Sequence, residues 1–236
     1  MKILAFDSTA KVASVAVCDN DSLLSQYTVD NGLTQSELLL PMAEDMLREL
    51  KLDFSDIELF AASVGPGSFT GVRIGAALIK GLAFGKGTPC SEVSTLEALA
   101  YNLNGMNGII VPAMDARRGQ VYTALFRAEG GVLTRLMPDS ALSIEELDSI
   151  LAAYGEPVSF AGDGYSITVE ALTKTEYVST PERLRYQSAA SVAAVAYRKY
   201  LAGETVSDRE MKVTYLRPSQ AERTYLEKQN AKKDSL

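Results

Sequence analysis

Ser63-Val64-Gly65-Pro66-Gly67-Ser68-Phe69-Thr70-Gly71-Val72-Arg73-Ile74-Gly75 joins an apolar, strand-like run to a helical one through a turn of glycine and proline. Glycine supplies unusual φ angles there, and proline fixes its own. Ser68 or Thr70 suits the first cap of the helix that follows. A strand, a tight loop and a capped helix in succession indicate an α/β fold. The loop at Gly65, Gly67 and Ser68 offers N–H groups at a helix N-terminus, which suits an anion. A capped structural turn explains the same residues equally well. The Gly-Lys-Ser/Thr ending of a Walker A loop is missing.

Working outward, alternation predicts strands near 2–7, 12–18 and 22–29. A helix follows from Thr34 to Leu50, opened by a Thr34/Glu37 capping box and carrying Pro41 inside it. Next come a strand near 58–64, the loop, a helix to Phe84, a strand near 88–93 and a helix from Ser94, with Glu97 completing a second capping box. The pattern then restarts. Ile109 to Asp115 reads as a strand, with returning strands at 121–126 and 131–137. Helices near 143–153, 165–172 and 187–202 and a strand at 158–161 complete it. In both halves a lead strand ends in an acid. Asp7 precedes the turn Ser8-Thr9-Ala10-Lys11, and Asp115 precedes Ala116-Arg117-Arg118-Gly119. Three strands and then helices, twice, predict duplicated ribonuclease-H-like lobes over 1–104 and 105–218. Residues 219–236 read as a flexible tail.

Composition narrows the function. The 236 residues are 47% hydrophobic and 22% charged, enough for a sizeable core. No apolar run is long enough to span a bilayer, and the N-terminus does not read as a signal peptide, so a cytoplasmic protein is expected. Cys18 and Cys90 lack metal-ligand spacing and read as small buried hydrophobes. The net charge of -7 argues against gripping nucleic acid alone. Histidine is absent. That excludes a His-ligated metal, a Ser-His-Asp triad and a Cys-His pair.

The block Gly65 to Gly75 resembles the signature of the TsaB (YeaZ) family. The start Ile3-Leu4-Ala5-Phe6-Asp7-Ser8-Thr9, the segment Thr34 to Pro41, the block Val93 to Ala100, the turn Met114 to Tyr122 and Val213-Thr214-Tyr215-Leu216-Arg217 are similar to it too, in order along the chain. The resemblance implies an actin/Hsp70-like nucleotide-binding fold. It also implies a non-catalytic scaffold for a catalytic paralogue, TsaD, working with a P-loop ATPase, TsaE. That machinery moves a threonylcarbamoyl group onto adenosine 37 of tRNA. ATP and metal are then used by the partner subunits, and tRNA is met through the complex. The paralogue's metal-binding histidine pair has no counterpart in the helix beginning Leu33-Thr34-Gln35-Ser36-Glu37.

Asp7, Ser8, Thr9, Gly65, Gly67, Ser68 and Asp115 form a degenerate nucleotide or anion site in this reading. The Ser8-Thr9-Ala10 turn lacks the glycine that lets backbone amides approach a phosphate. An active actin-like kinase or ATPase using Asp7, Asp115 and Mg²⁺ is the alternative; a metalloprotease conflicts with the absent histidines. The helix at 34–50 carries a wide apolar arc through Leu39, Met42, Ala43, Met46 and Leu50. The next helix has small residues at Gly75 and its neighbours, with Ile79 beside them. Together these suggest a face for the paralogue, or for a second copy of the chain when alone.

Overall fold

A computed structural model describes residues 1–32 and 35–217. Strands β1 (Lys2–Asp7), β2 (Ala13–Asp19), β3 (Ser22–Val29), β4 (Leu59–Ser63) and β5 (Cys90–Val93) form a sheet ordered β3-β2-β1-β4-β5. β1, β2 and β3 are antiparallel, and β4 and β5 run parallel to β1. Strands β6 (Gly108–Arg117), β7 (Gln120–Glu129), β8 (Val132–Ser143), β9 (Val158–Ala161) and β10 (Tyr177–Val178) repeat that order as β8-β7-β6-β9-β10. Their pairing directions repeat as well. Two ribonuclease-H-like sheets in one chain make the actin-like α/β fold.

Period-two alternation gives each sheet two apolar faces. From β1, Leu4 and Phe6 enter one core with helices α1 (Gln35–Leu50) and α2 (Phe69–Ala83). Ile3 and Ala5 enter the opposite core with helix α6 (Ala189–Leu201). The second sheet packs one face on helix α3 (Thr95–Tyr101) through Leu96, Leu99 and Ala100. Its other face is covered by helices α4 (Ile144–Ala152) and α5 (Tyr165–Val169). The middle layer therefore holds α3 from the first half against the second sheet and α6 from the second half against the first. The two helices pack on each other. Ala189, Ala193 and Ala196 meet Ala5, Ala16 and Ala61 across that layer, so short side chains let α6 lie close to the sheet. Its first turn is capped from outside: Ala189 N donates to Ser14 Oγ of β2 at 3.0 Å.

Several local expectations change. Thr34 lies outside the described residues, so the first capping box does too. At α3, Ser94 Oγ accepts from Glu97 N at 3.2 Å, but Glu97 turns to Arg135 instead of back to the cap. Strands β7 and β8 are longer than expected, and α5 is shorter. Cys18 and Cys90 are buried and free, and burial pushes both thiols up to about 11.

The largest correction concerns the expected partner face. Leu39, Met42, Ala43, Met46 and Ile79 are all buried, and Leu50 packs against the same core. Gly75 is also buried, facing Ser8 Oγ. The arc on α1 is wide because the helix covers β2 and β3 and also leans on α2. It belongs to the chain's own interior. Met46→Ala should therefore destabilise the isolated chain by about 3 kcal/mol through lost burial and a residual cavity. Chemical denaturation of the isolated chain measures this; an unchanged midpoint would return Met46 to a partner-facing role.

Candidate functional site

β1 delivers Asp7 to the top of the first sheet, where the chain turns through Ser8 and Thr9 towards β2. Asp7 is buried and accepts three hydrogen bonds. They come from Thr9 N at 2.9 Å, Thr9 Oγ1 at 2.7 Å and Ser63 Oγ at 2.6 Å. Burial pushes its carboxyl above the usual range, and those three donors work in the opposite direction. The glycine-rich loop closes directly onto this turn. Ser68 N donates to Thr9 O at 2.7 Å, and Ser8 Oγ donates to Gly71 O at 2.8 Å. Ser68 Oγ caps α2 by accepting from Gly71 N at 3.2 Å.

This contact dictates the glycines. A Cβ on Gly71 would overlap the Ser8 carbonyl oxygen, and one on Gly67 would stand 2.5 Å from that of Thr9. Gly65 has φ +119° and lies against the Thr214 carbonyl. The cradle that would receive a phosphate is thus filled by the chain's own backbone, and the N–H groups of Thr9, Ser68 and Gly71 are committed. The residues present do not fit a phosphate between loop and turn. Asp7, Ser8, Thr9, Gly65, Gly67 and Ser68 do come together, as the sequence suggested, but as a packing joint.

Asp115 lies near the end of β6 in the second lobe. It accepts from Arg117 N at 2.7 Å and from Arg117 Nη1 at 3.1 Å. Arg117, Arg118 and Gly119 all have positive φ, so the turn after Asp115 is tight and left-handed. Asp115 N donates to Asp163 Oδ1 at 3.3 Å. The residue is exposed, but its surroundings partly desolvate the Asp163 carboxyl and raise it, and the neighbouring Asp115 charge adds to this. Sequence reasoning missed Asp163. Its signal was Gly162-Asp163-Gly164 directly after a strand, the counterpart of the Gly65 loop. Gly164 N donates to Ala113 O at 3.0 Å, and a Cβ on Gly162 would overlap that same oxygen. The close-approach joint is duplicated along with the sheets.

The segment Val213 to Arg217 ties the two joints together. Thr214 N donates to Val64 O at 2.8 Å. The Tyr215 ring lies 4.9 Å from that of Phe69, and its hydroxyl accepts from Arg73 Nε at 2.7 Å. The Arg73 guanidinium sits 3.7 Å from the Phe69 ring centroid. Two residues on, Arg217 donates to Ala116 O at 3.3 Å and to Gln120 Oε1, at the turn between β6 and β7. One short stretch thereby binds the glycine-rich loop of the first lobe to the acid-bearing turn of the second. If the glycines serve packing, two helical glycines should respond oppositely. Gly71→Ala should lose about 3 kcal/mol by overpacking. Gly81→Ala, whose Cβ meets open space, should gain roughly 0.5–1 kcal/mol from helix propensity. Thermal melts of both variants decide it; equal, small effects would contradict the joint.

Comparison with known proteins agrees with this architecture. Residues 34–234 match the family model described as TsaD, tRNA N6-adenosine threonylcarbamoyltransferase. The Bacillus subtilis tRNA threonylcarbamoyladenosine biosynthesis protein TsaB is 35% identical over 71% of this chain and 73% of its own length. The Escherichia coli TsaB is 30% identical over 92% and 95%. A solved Pseudomonas aeruginosa structure, described as similar to peptidase YeaZ, superposes with a TM-score of 0.80 at 26% identity, covering 92% of this chain and 99% of that one. With the duplicated sheets, the glycine joint and relatives that span most of its length, the chain belongs to the TsaB (YeaZ) family.

Proposed function

We propose that this chain is a non-catalytic subunit that holds a TsaD-type catalytic paralogue during threonylcarbamoyl transfer to adenosine 37 of tRNA. Its family supports the broader role, in tRNA threonylcarbamoyladenosine biosynthesis. The observation that carries the finer reading is the packing joint. Asp7, the acid that an actin-like enzyme would turn towards metal and phosphate, is consumed by Thr9 and Ser63. Histidine is absent from the whole chain, so the paralogue's metal site has no ligands to draw on here. ATP and metal belong to the partner subunits in this reading, including a TsaE-type ATPase. The net charge of -7 supports leaving most of the tRNA contact to them as well.

The paralogue docks on the outer side of α1 and α2, opposite to the buried arc. There Leu40 and Pro41 of α1 and Ala77 and Gly81 of α2 are exposed, with Phe84 at 69% just beyond α2. Gly81 has open space where a Cβ would stand, which lets another helix approach closely. A second copy of the chain uses the same face when the paralogue is missing. Ala77→Arg places a charge at the centre of this face without touching the core. The parent chain should co-elute with a purified TsaD-type subunit and stimulate its transfer to tRNA. Ala77→Arg should remain folded by circular dichroism and lose both. Robust transfer or ATP hydrolysis by the chain alone, or undiminished binding by Ala77→Arg, would overturn the reading.

A further inference from the structure

The outer side of α2 has a second property besides its small residues. Arg73, Ala77 and Lys80 follow one another along one line of the helix, at helical spacing. With Met211, Lys212 and Val213 they line a groove of about 470 Å³. Ala76 and the Met211 side chain, both buried, give it an apolar base. Three of the lining residues are cations and none is an acid, in a chain whose net charge is -7. Lys212 has an acid beside it, since its backbone N–H donates to Glu92 Oε1. Arg73 and Lys80 make no salt bridge among the described residues.

Arg73 is exposed but held in place. Its Nε donates to the Tyr215 hydroxyl at 2.7 Å, and its guanidinium lies 3.7 Å from the Phe69 ring centroid. Its two Nη groups have no hydrogen-bond partner among the described residues. A guanidinium fixed through Nε and open at both Nη suits a carboxylate met end-on, through two parallel hydrogen bonds. Because the side chain is already ordered, little freedom is lost when a partner arrives. We propose that the groove receives an acidic segment of the docking partner, with one carboxylate gripped by Arg73 and a further acid drawn to Lys80. This rests on the docking reading above and adds its polarity: the partner surface that meets α2 is negative. An apolar base and an acidic chain overall favour protein carboxylates over RNA phosphates. Ala77 lies between the two cations along the helix, so a long side chain there blocks entry whatever its own charge.

The test titrates the full chain with a purified TsaD-type subunit by calorimetry, at low and at physiological ionic strength. The parent should bind more weakly as salt rises. Arg73→Glu and Lys80→Glu should each weaken binding roughly ten- to a hundredfold and flatten that salt dependence. Arg73→Lys keeps the charge but loses the fork, and Tyr215→Phe keeps the ring but releases Nε; both should bind severalfold more weakly. Lys174→Glu, in the second lobe, makes the same change of net charge and should bind like the parent. Circular dichroism checks that each variant is folded; if Arg73→Glu is not, Lys80→Glu carries the test. A parent that binds without regard to salt, folded reversals that bind as tightly as the parent, or an equal loss in Lys174→Glu would overturn the groove and leave the docking reading standing. A parent that does not bind at all would overturn both.

Discussion

The fold depends on one close approach of backbone to backbone. Ser68 N reaches the Thr9 carbonyl, and Gly71 presents its carbonyl to Ser8 Oγ, at a separation only a residue without Cβ allows. This contact sets where α2 begins relative to β1, and with it the side chains α2 buries. It also decides the chemistry. Asp7 sits behind the joint with its oxygens already paired, in surroundings that disfavour its charge. Through Thr9 and Ser63 it holds the turn together. Gly162 and Gly164 against Ala113 repeat the device in the second lobe.

The middle layer turns two similar halves into one body. α6 crosses from the second half to cover the first sheet, and α3 covers the second. Neither half keeps both of its faces covered without the other. The tie through Thr214, Tyr215 and Arg217 adds a second link at the strand ends. The chain is thus fastened at two places, the middle layer and the strand ends.

Much of this was legible in the sequence. Acid-ended lead strands revealed the duplication, and the glycine-rich block marked the most crowded place in the first lobe. Its purpose was not legible, because an anion and a neighbouring carbonyl make the same demand: no Cβ. The apolar arc of α1 was equally ambiguous. Width alone does not separate a helix that meets a partner from one that meets a sheet and a second helix. The cap of α6 came from Ser14, 175 residues away in sequence, where local capping rules cannot look. Asp163 had a signal, the Gly162-Asp163-Gly164 triplet after a strand, but too short a one to single it out. What marks it is the Asp115 amide that it accepts from, and only the fold supplies that.

The glycine-rich loop and the strand-end turn are packed against each other, backbone to backbone. Native-state amide hydrogen exchange at Thr9, Ser68 and Gly71, with and without Mg²⁺-ATP, tests it directly. Slow exchange near that of the core strands, unchanged by the nucleotide, is expected. Fast exchange at these three amides, or protection that appears only when Mg²⁺-ATP is added, would contradict it.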